Sequence, residues 1–119
     1  MKWASAASVA FVLAVFASPH AAAFTGTDLY QQCQDKKRGI RDLLCIAYVR
    51  GFIDGITAGT AIPRSRHASE FCLPEKVAIS AEQARLIIEK YLRDHPEQLH
   101  EEAELLAATA IMLAFPCKR

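Results

Sequence analysis

The sequence lacks an excess of charge of either sign. It contains 14 lysines and arginines against 13 aspartates and glutamates, and no stretch combines many cations with an amphipathic pattern. Proteins that bind nucleic acid or an anionic membrane surface usually carry such a basic patch. The nearest candidate is Lys36, Lys37, Arg38 and Arg41, which we interpret as the solvated end of a helix because cations favour helix C-termini. We therefore expect neither nucleic acid nor a membrane surface as a partner.

The N-terminus lacks an apolar run long enough to cross a membrane. Its first apolar run ends before Pro19, whereas a spanning helix needs about 20 apolar residues. A basic Lys2, a short apolar run and a stretch of small residues form the pattern of a cleavable secretory signal. We predict that residues 1–23 are a signal peptide and that the mature domain covers residues 24–119. An N-terminal core helix, the alternative, would show polar residues at helical spacing.

Signatures of metal binding and catalysis are also lacking. There is no C-x-x-C motif, and the cysteine spacings of 12, 27 and 45 residues match no zinc-site pattern. No pair of carboxylates has neighbours that suggest general acid and base roles. A cysteine nucleophile needs a free thiol near a histidine such as His67, but cysteines of an exported protein are expected to be paired. We therefore expect no catalytic activity, no cofactor and no metal.

The spacing of apolar residues predicts an all-α fold, a compact domain of four helices. The first helix is expected at about 28–37, with Thr27 as its N-cap. The second, at about 41–59, is so apolar that we expect it to be the central, most buried helix. A capping box at 80–83 begins the third helix, and the fourth is expected to run from about residue 96 to about residue 115.

The second helix carries a stripe of glycines, Gly51, Gly55 and Gly59. Each glycine costs a helix about 1 kcal/mol, so the stripe indicates that another backbone comes close. We favour packing against a helix of the same chain, and the alternatives are a subunit contact in a homodimer and fraying toward Gly59. Arg50 and Asp54 lie four residues apart in this helix and are expected to pair.

The four cysteines are expected to form two disulfides, because export leads to an oxidising compartment. Three pairings of four cysteines exist. We favour Cys33–Cys45, since these residues flank the turn of an antiparallel helical hairpin at similar distances, and this choice leaves Cys72–Cys117. The pair Cys33–Cys72 is the alternative that partial reduction would detect.

We expect residues 60–79 to form a long loop, because they show no helical period and contain two prolines. The segment 71–74 has the sequence of an anchor that returns to the core. Long loops in compact domains often carry function. From this loop we select five candidate partner-binding residues: Arg64, Ser65, Arg66, His67 and Glu70.

Five short elements follow one another in a characteristic order. They are Gly26-Thr27-Asp28-Leu29-Tyr30 with Cys33; Cys45-x-x-Tyr48-x-x-Gly51-x-x-Asp54-Gly55; Phe71-Cys72-Leu73-Pro74; Tyr91-Leu92-x-x-His95-Pro96; and Ala114-Phe115-Pro116-Cys117. Together they resemble the Rap/Tai family of immunity proteins, over nearly the whole mature chain. The resemblance implies a small helical periplasmic protein, often dimeric, that binds a peptidoglycan amidase effector delivered by type VI secretion and blocks its active site.

The resemblance assigns no contact residues, because those vary with the toxin. A second hypothesis is a periplasmic holdase chaperone, like the small helical chaperones of acid stress, or another non-catalytic binding module on the same scaffold. That hypothesis predicts that acid exposes apolar surface.

Overall fold

The computed structural model describes residues 22–34, 39–61, 71–74 and 78–118. Over these residues it contains four α-helices: α1 Gly26–Gln34, α2 Ile40–Ala61, α3 Ala81–Asp94 and α4 Ala103–Ala114. The all-α, four-helix fold is confirmed. Residues 1–21 of the expected signal peptide and all five candidate residues of the loop, Arg64 to Glu70, lie outside the described residues.

Helix α1 begins at Gly26 and is capped by Thr25 and Asp28. The backbone amide and the hydroxyl of Thr25 both donate to Oδ2 of Asp28 over 2.9 Å, and the amide of Asp28 donates to the Thr25 hydroxyl over 3.4 Å. This reciprocal arrangement satisfies amides at the helix start. The prediction of Thr27 as the N-cap was wrong, because its hydroxyl donates instead to the carbonyl oxygen of Leu99, 3.1 Å away.

The start of α1 is paired with the chain that precedes α4. The amide of Gly26 donates to the carbonyl oxygen of Glu101 and the amide of Thr27 to that of Leu99, each over 2.9 Å. The single helix expected over 96–115 was therefore wrong. A 3₁₀ turn covers Pro96–Gln98, and α4 begins only at Ala103, because the intervening backbone pairs with α1 instead of with the next helical turn.

Gly26 is required by this close approach. A Cβ atom at this position would lie 3.1 Å from the carbonyl oxygen of Leu99 and would overlap the side chain of Leu106. The amide of Ala103 in turn donates to the carbonyl oxygen of Phe24 over 3.0 Å. The N-terminal segment is thus fixed to the start of the last helix.

Helix α3 is the central helix and packs against the other three. Its capping by Ser80 is confirmed, since the amide of Gln83 donates to the Ser80 hydroxyl over 3.0 Å. Its apolar residues lie at helical spacing on the side of the core: Ala84, Ile88 and Leu92 are buried, and Ile87 and Tyr91 are partly buried. The expectation that the second helix is central was wrong, because α2 packs mainly on α1 and α3 and buries only Cys45, Val49 and Ile53.

Helix α4 lies against α3 and completes the core. Its buried face consists of Ala103, Leu106, Ala107 and Ala110, together with Ile111. Leu113 is 66% exposed. It lies on the last turn of the helix, beyond the part that contacts the core.

Candidate functional site

The outward face of α2 is apolar and exposed. Ile40, Leu43 and Leu44 are 76%, 66% and 50% exposed, and farther along the helix Ala47 and Ala58 are exposed as well. A contiguous exposed apolar surface on a small protein is typical of an interaction site. The helix therefore has two apolar sides, of which one covers the core and the other is available to a partner.

A groove of about 370 Å³ lies on this side of α2. Its floor is formed by Gly51, Gly55 and Gly59, and its walls include Phe52, Ile56 and Phe71. A Cβ atom at any of the three glycines would meet no heavy atom of the described chain within 4 Å. Within the described residues, no helix of the same chain packs on the stripe, so the interpretation that we favoured does not hold there.

An ion pair lies beside the glycine floor. Nε of Arg50 and Oδ2 of Asp54 are 3.4 Å apart, and the two side chains are 70% and 66% exposed. The expected pairing across one helical turn is confirmed.

By length and composition α2 could cross a membrane, as the core helices of many water-soluble proteins could. Two charges near its middle would each cost about 3 kcal/mol in a bilayer, so the exposed face suits a protein surface better than lipid.

Both expected disulfides are confirmed. Cys33–Cys45 joins α1 to α2, and Cys72–Cys117 joins the segment before α3 to the chain after α4; the Cα atoms are 5.0 Å apart in each pair. Structural disulfides of this kind form and persist in an oxidising compartment.

The segment Phe71 to Pro74 forms part of the wall beside α2. Phe71 and Leu73 are partly buried and pack against the core, as expected for an anchor. Phe71 borders the glycine groove. On the other side of the segment lies a second hollow of about 490 Å³, lined by Ile53, Asp54, Thr57, Thr60, Leu73, Pro74, Ala78 and Ile79. One tethered segment therefore shapes two hollows next to α2.

A buried arginine fixes the helical hairpin that presents this face. Arg85 is 8% exposed. Its guanidinium group donates to Oε1 of Glu82 over 2.7 Å, to Oδ1 of Asp42 over 3.3 Å and to the carbonyl oxygen of Cys33 over 3.2 Å. The hydrogen bond with Glu82, assisted by the neighbouring carboxylates, raises the pKa of Arg85. The side chain stays charged and links α3 to both α1 and α2.

Sequence reasoning missed this cluster. Its signal is the spacing of Glu82, Arg85 and Glu89, which places three charged side chains on one face of α3. Glu89 is 8% exposed, and its Oε2 atom has no hydrogen-bond partner among the described residues. Arg85 supplies the nearby positive charge.

Of the two histidines in the described ranges, His95 belongs to a turn and His100 is exposed. His95 ends α3, and its amide donates to the carbonyl oxygen of Tyr91 over 3.0 Å. Nε2 of His100 lies 3.3 Å from a carboxylate oxygen of Glu101. Within the described ranges, no group of three or more histidine, cysteine or acidic residues is placed to hold a metal ion.

Comparison with known protein families identifies the chain's relatives. The model of the Rap1a immunity proteins matches residues 25–117, which span all four helices and both disulfides. The chain belongs to the Rap1a immunity protein family. No individual curated protein matches its sequence.

Membership in the Rap1a family confirms the resemblance drawn from the five sequence elements. An immunity protein binds an effector protein, so a protein partner is expected for this chain. The matched region contains the whole outward face of α2 and the tethered segment Phe71 to Pro74. Both surfaces have the apolar character that a protein partner would cover.

Proposed function

We propose that this chain is a periplasmic immunity protein that binds and inhibits a peptidoglycan amidase effector delivered by type VI secretion. The observation that carries the proposal is the match of the Rap1a immunity family to residues 25–117. Two disulfides in a short chain support an exported location. The protein acts by covering the effector's active site, without catalysis of its own.

The proposal is tested with the purified mature chain and the amidase encoded beside its gene. We expect a stoichiometric complex and loss of peptidoglycan cleavage when the two proteins are mixed in equal amounts. Cells that produce the effector in the periplasm should survive only when the chain is exported with it. An amidase that retains full activity in a molar excess of the chain would contradict the proposal.

The proposed effector contacts lie in the loop that contains Arg64, Ser65, Arg66, His67 and Glu70. The support for this choice is the loop's length and polar composition. Simultaneous replacement of Arg64, Arg66 and His67 by alanine should weaken effector binding at least tenfold while the melting temperature stays constant. A control variant replaces Arg93 and His100 by alanine, since their side chains are 55% and 76% exposed. Equal affinity of both variants would eliminate the loop as the contact.

We further propose that the protein forms a homodimer through the outward face of α2. The glycine floor lets a second backbone come close. In an antiparallel pairing with its twofold axis near Phe52, Arg50 of one copy lies opposite Asp54 of the other, and the reverse pair forms by symmetry. The two exposed ion pairs, one in each copy, can thus be exchanged for two pairs between the copies.

The dimer is tested by light scattering on a size-exclusion column. Gly55→Leu should give a monomer, because the new side chain fills the groove and meets only open space within the described chain. Glu97→Leu adds a leucine at an exposed position of the 3₁₀ turn and should remain dimeric. A monomeric wild type across the micromolar range would contradict the proposed dimer.

Export requires removal of the signal peptide, which we propose to occur after Ala23. The mature domain then starts at Phe24, whose carbonyl oxygen already accepts a hydrogen bond from Ala103. Intact-mass measurement of the protein from the periplasm should give the mass of residues 24–119. A mass that still includes residues 1–23 would contradict this maturation step.

A holdase chaperone is the second candidate function. The exposed leucines and isoleucine of α2 favour it, since a holdase binds unfolded clients through apolar surface. The hypothesis predicts that the chain suppresses aggregation of a model client at pH 2–3 and binds a hydrophobic dye there. A native, monodisperse protein at that pH, with no effect on client aggregation, would exclude it.

A further inference from the structure

The two disulfides lie in opposite surroundings. Cys33 and Cys45 are both 0% exposed and join two packed helices. Cys72 and Cys117 are both exposed and lie in non-helical segments. The bonds therefore differ in how easily a reagent from solution can reach their sulfur atoms.

Accessibility decides which disulfide can be exchanged. Thiol–disulfide exchange begins when a thiolate attacks one sulfur of the bond, so the attacking group must reach that sulfur. At Cys33–Cys45 this approach requires separation of α1 from α2, and Arg85 opposes that motion through its bonds to the Cys33 carbonyl oxygen and to Asp42. At Cys72–Cys117 both residues are already exposed in non-helical segments of the described chain.

The exposed disulfide also holds one wall of the groove along α2 in place. Cys72 lies between Phe71 and Leu73, which pack against the core and border the two hollows beside α2. Cys117 follows the end of α4 and provides the other point of attachment. Cleavage of this bond would remove the covalent attachment that holds Phe71 and Leu73 beside the core.

We propose that Cys72–Cys117 is an exchangeable latch that a dithiol reductant opens while Cys33–Cys45 stays intact, so that Phe71 withdraws from the groove along α2. In the reaction one thiolate of the dithiol attacks a sulfur of the latch and forms a mixed disulfide. The second thiol of the reductant then displaces the protein thiol. Two electrons and two protons pass to Cys72 and Cys117, and the reductant leaves as a disulfide. This redox control of the groove goes beyond the proposed immunity function and does not depend on the identity of the effector.

The first test measures the rate at which each cysteine becomes reducible. The mature protein is incubated with dithiothreitol, samples are quenched by alkylation, and the four cysteines are quantified by mass spectrometry. We expect Cys72 and Cys117 to be alkylated at least about tenfold faster than Cys33 and Cys45, with an unchanged far-ultraviolet circular dichroism spectrum at the half-reduced stage. Simultaneous alkylation of all four cysteines, together with loss of helicity, would overturn the proposal.

The second test follows the wall of the groove. The chain's one tryptophan is Trp3, within the expected signal peptide, so Phe71→Trp gives the mature domain a single reporter. Its emission maximum should shift to the red when Cys72–Cys117 is reduced. Phe24→Trp is the matched control, because Phe24 is partly buried against Tyr48 and its surroundings should not change. An unchanged maximum for Phe71→Trp in selectively reduced protein would overturn the link between latch and groove.

A variant that permanently lacks the Cys72–Cys117 bond separates the effect of losing this bond from other effects of the reductant. Replacement of both Cys72 and Cys117 by serine in the Phe71→Trp background should show the red-shifted emission without any reductant. An emission maximum equal to that of the oxidised reporter would contradict the role of the bond. If the serine variant does not fold, the alkylation rates and the reporter shift in the cysteine-containing protein still decide the proposal.

Discussion

Arg85 donates a hydrogen bond from Nη1 to the backbone carbonyl oxygen of Cys33, 3.2 Å away. Cys33 lies in the last turn of α1, where carbonyl groups have no partner within the helix. The bond therefore satisfies an orphan carbonyl with a charged donor, which is stronger than a neutral one. It also places the arginine directly beside the buried disulfide and connects three helices at one point.

Loss of this arginine should destabilise the fold strongly. Arg85→Met leaves Asp42 and the buried Glu89 without their positive partner, and we expect the free energy of unfolding to fall by about 3 kcal/mol. Urea denaturation followed by circular dichroism measures the change.

A second substitution tests whether Arg85→Met destabilises the fold because it leaves a buried carboxylate unpaired. Replacement of Glu89 by methionine in the Arg85→Met background removes the stranded carboxylate and should restore about 1 kcal/mol. Strictly additive effects of the two substitutions would show that the charges do not interact.

Replacement by alanine should change the free energy of unfolding in opposite directions at two glycines. Gly26→Ala should lower the free energy of unfolding by about 1–3 kcal/mol, because the new methyl group meets Leu99 and Leu106. Gly55→Ala should raise the stability of the monomer by about 0.5–1 kcal/mol, since its methyl group faces open space in the described chain. Thermal unfolding at low protein concentration gives both values. Destabilisation by Gly55→Ala would mean that the floor of the groove is covered within the single chain.

The cap of α1 should make stability depend on pH. Hydrogen bonds from the backbone amide and the hydroxyl of Thr25 lower the pKa of Asp28 below its ordinary value of 3.8. A carboxylate with a lowered pKa stabilises the fold fully above the pKa of the unfolded chain, and this contribution is lost as the pH falls through the folded pKa. The melting-temperature gap between wild type and Asp28→Ala should therefore be constant above about pH 5 and narrow below about pH 4.

The partner of this cap provides the control. Thr25→Ala should cost about 1 kcal/mol near neutral pH. In the double variant the second substitution should add little, because each single change already breaks the pair. A melting-temperature gap that is independent of pH would show that Asp28 does not bond to Thr25.

The turn after α3 is stabilised by the hydroxyl and the ring of Tyr91. The hydroxyl of Tyr91 donates to Oε1 of Gln98 over 2.8 Å, and its ring stacks on His95 with the centroids 4.1 Å apart. Tyr91→Phe keeps the stacking and should cost about 1 kcal/mol, whereas Tyr91→Leu also loses the ring contact and should cost about 2–3 kcal/mol. If both variants lower the free energy of unfolding equally in chemical denaturation, the stacked ring contributes nothing to stability.

Most of the features predicted well from sequence are encoded by nearby residues, and Cys72–Cys117, 45 residues apart, followed only by elimination. The Ser80 cap follows from a four-residue pattern, and the pair Arg50–Asp54 follows from helical spacing. The Cys33–Cys45 pairing depends on a short hairpin. For the cap, the ion pair and this hairpin disulfide, the interacting groups lie within about a dozen residues, so the chain itself brings them together.

The wrong predictions concern features that are determined by contacts between residues far apart in the sequence. The pattern after Pro96 is helical throughout, but the carbonyl groups of Leu99 and Glu101 bond to amides more than 70 residues earlier in the chain. Likewise, a helix apolar on all sides does not reveal which side faces the core, so α2 was assigned the central position that α3 occupies. For the candidate site, the glycine stripe was expected to lie under a helix of the same chain, whereas it forms the open floor of a groove in the described chain. The wall formed by Phe71 depends on a disulfide to the far end of the chain.

The pairing of Gly26 and Thr27 with the chain before α4 also constrains the order in which the domain folds. A chain that emerges from its N-terminus delivers α1 first, but the carbonyl groups that pair with the start of α1 arrive more than 70 residues later. Contacts between such distant residues form late in folding because they require closure of a long loop. The first helix can pack on α2 early, but its first turn stays unpaired until almost the whole domain is present.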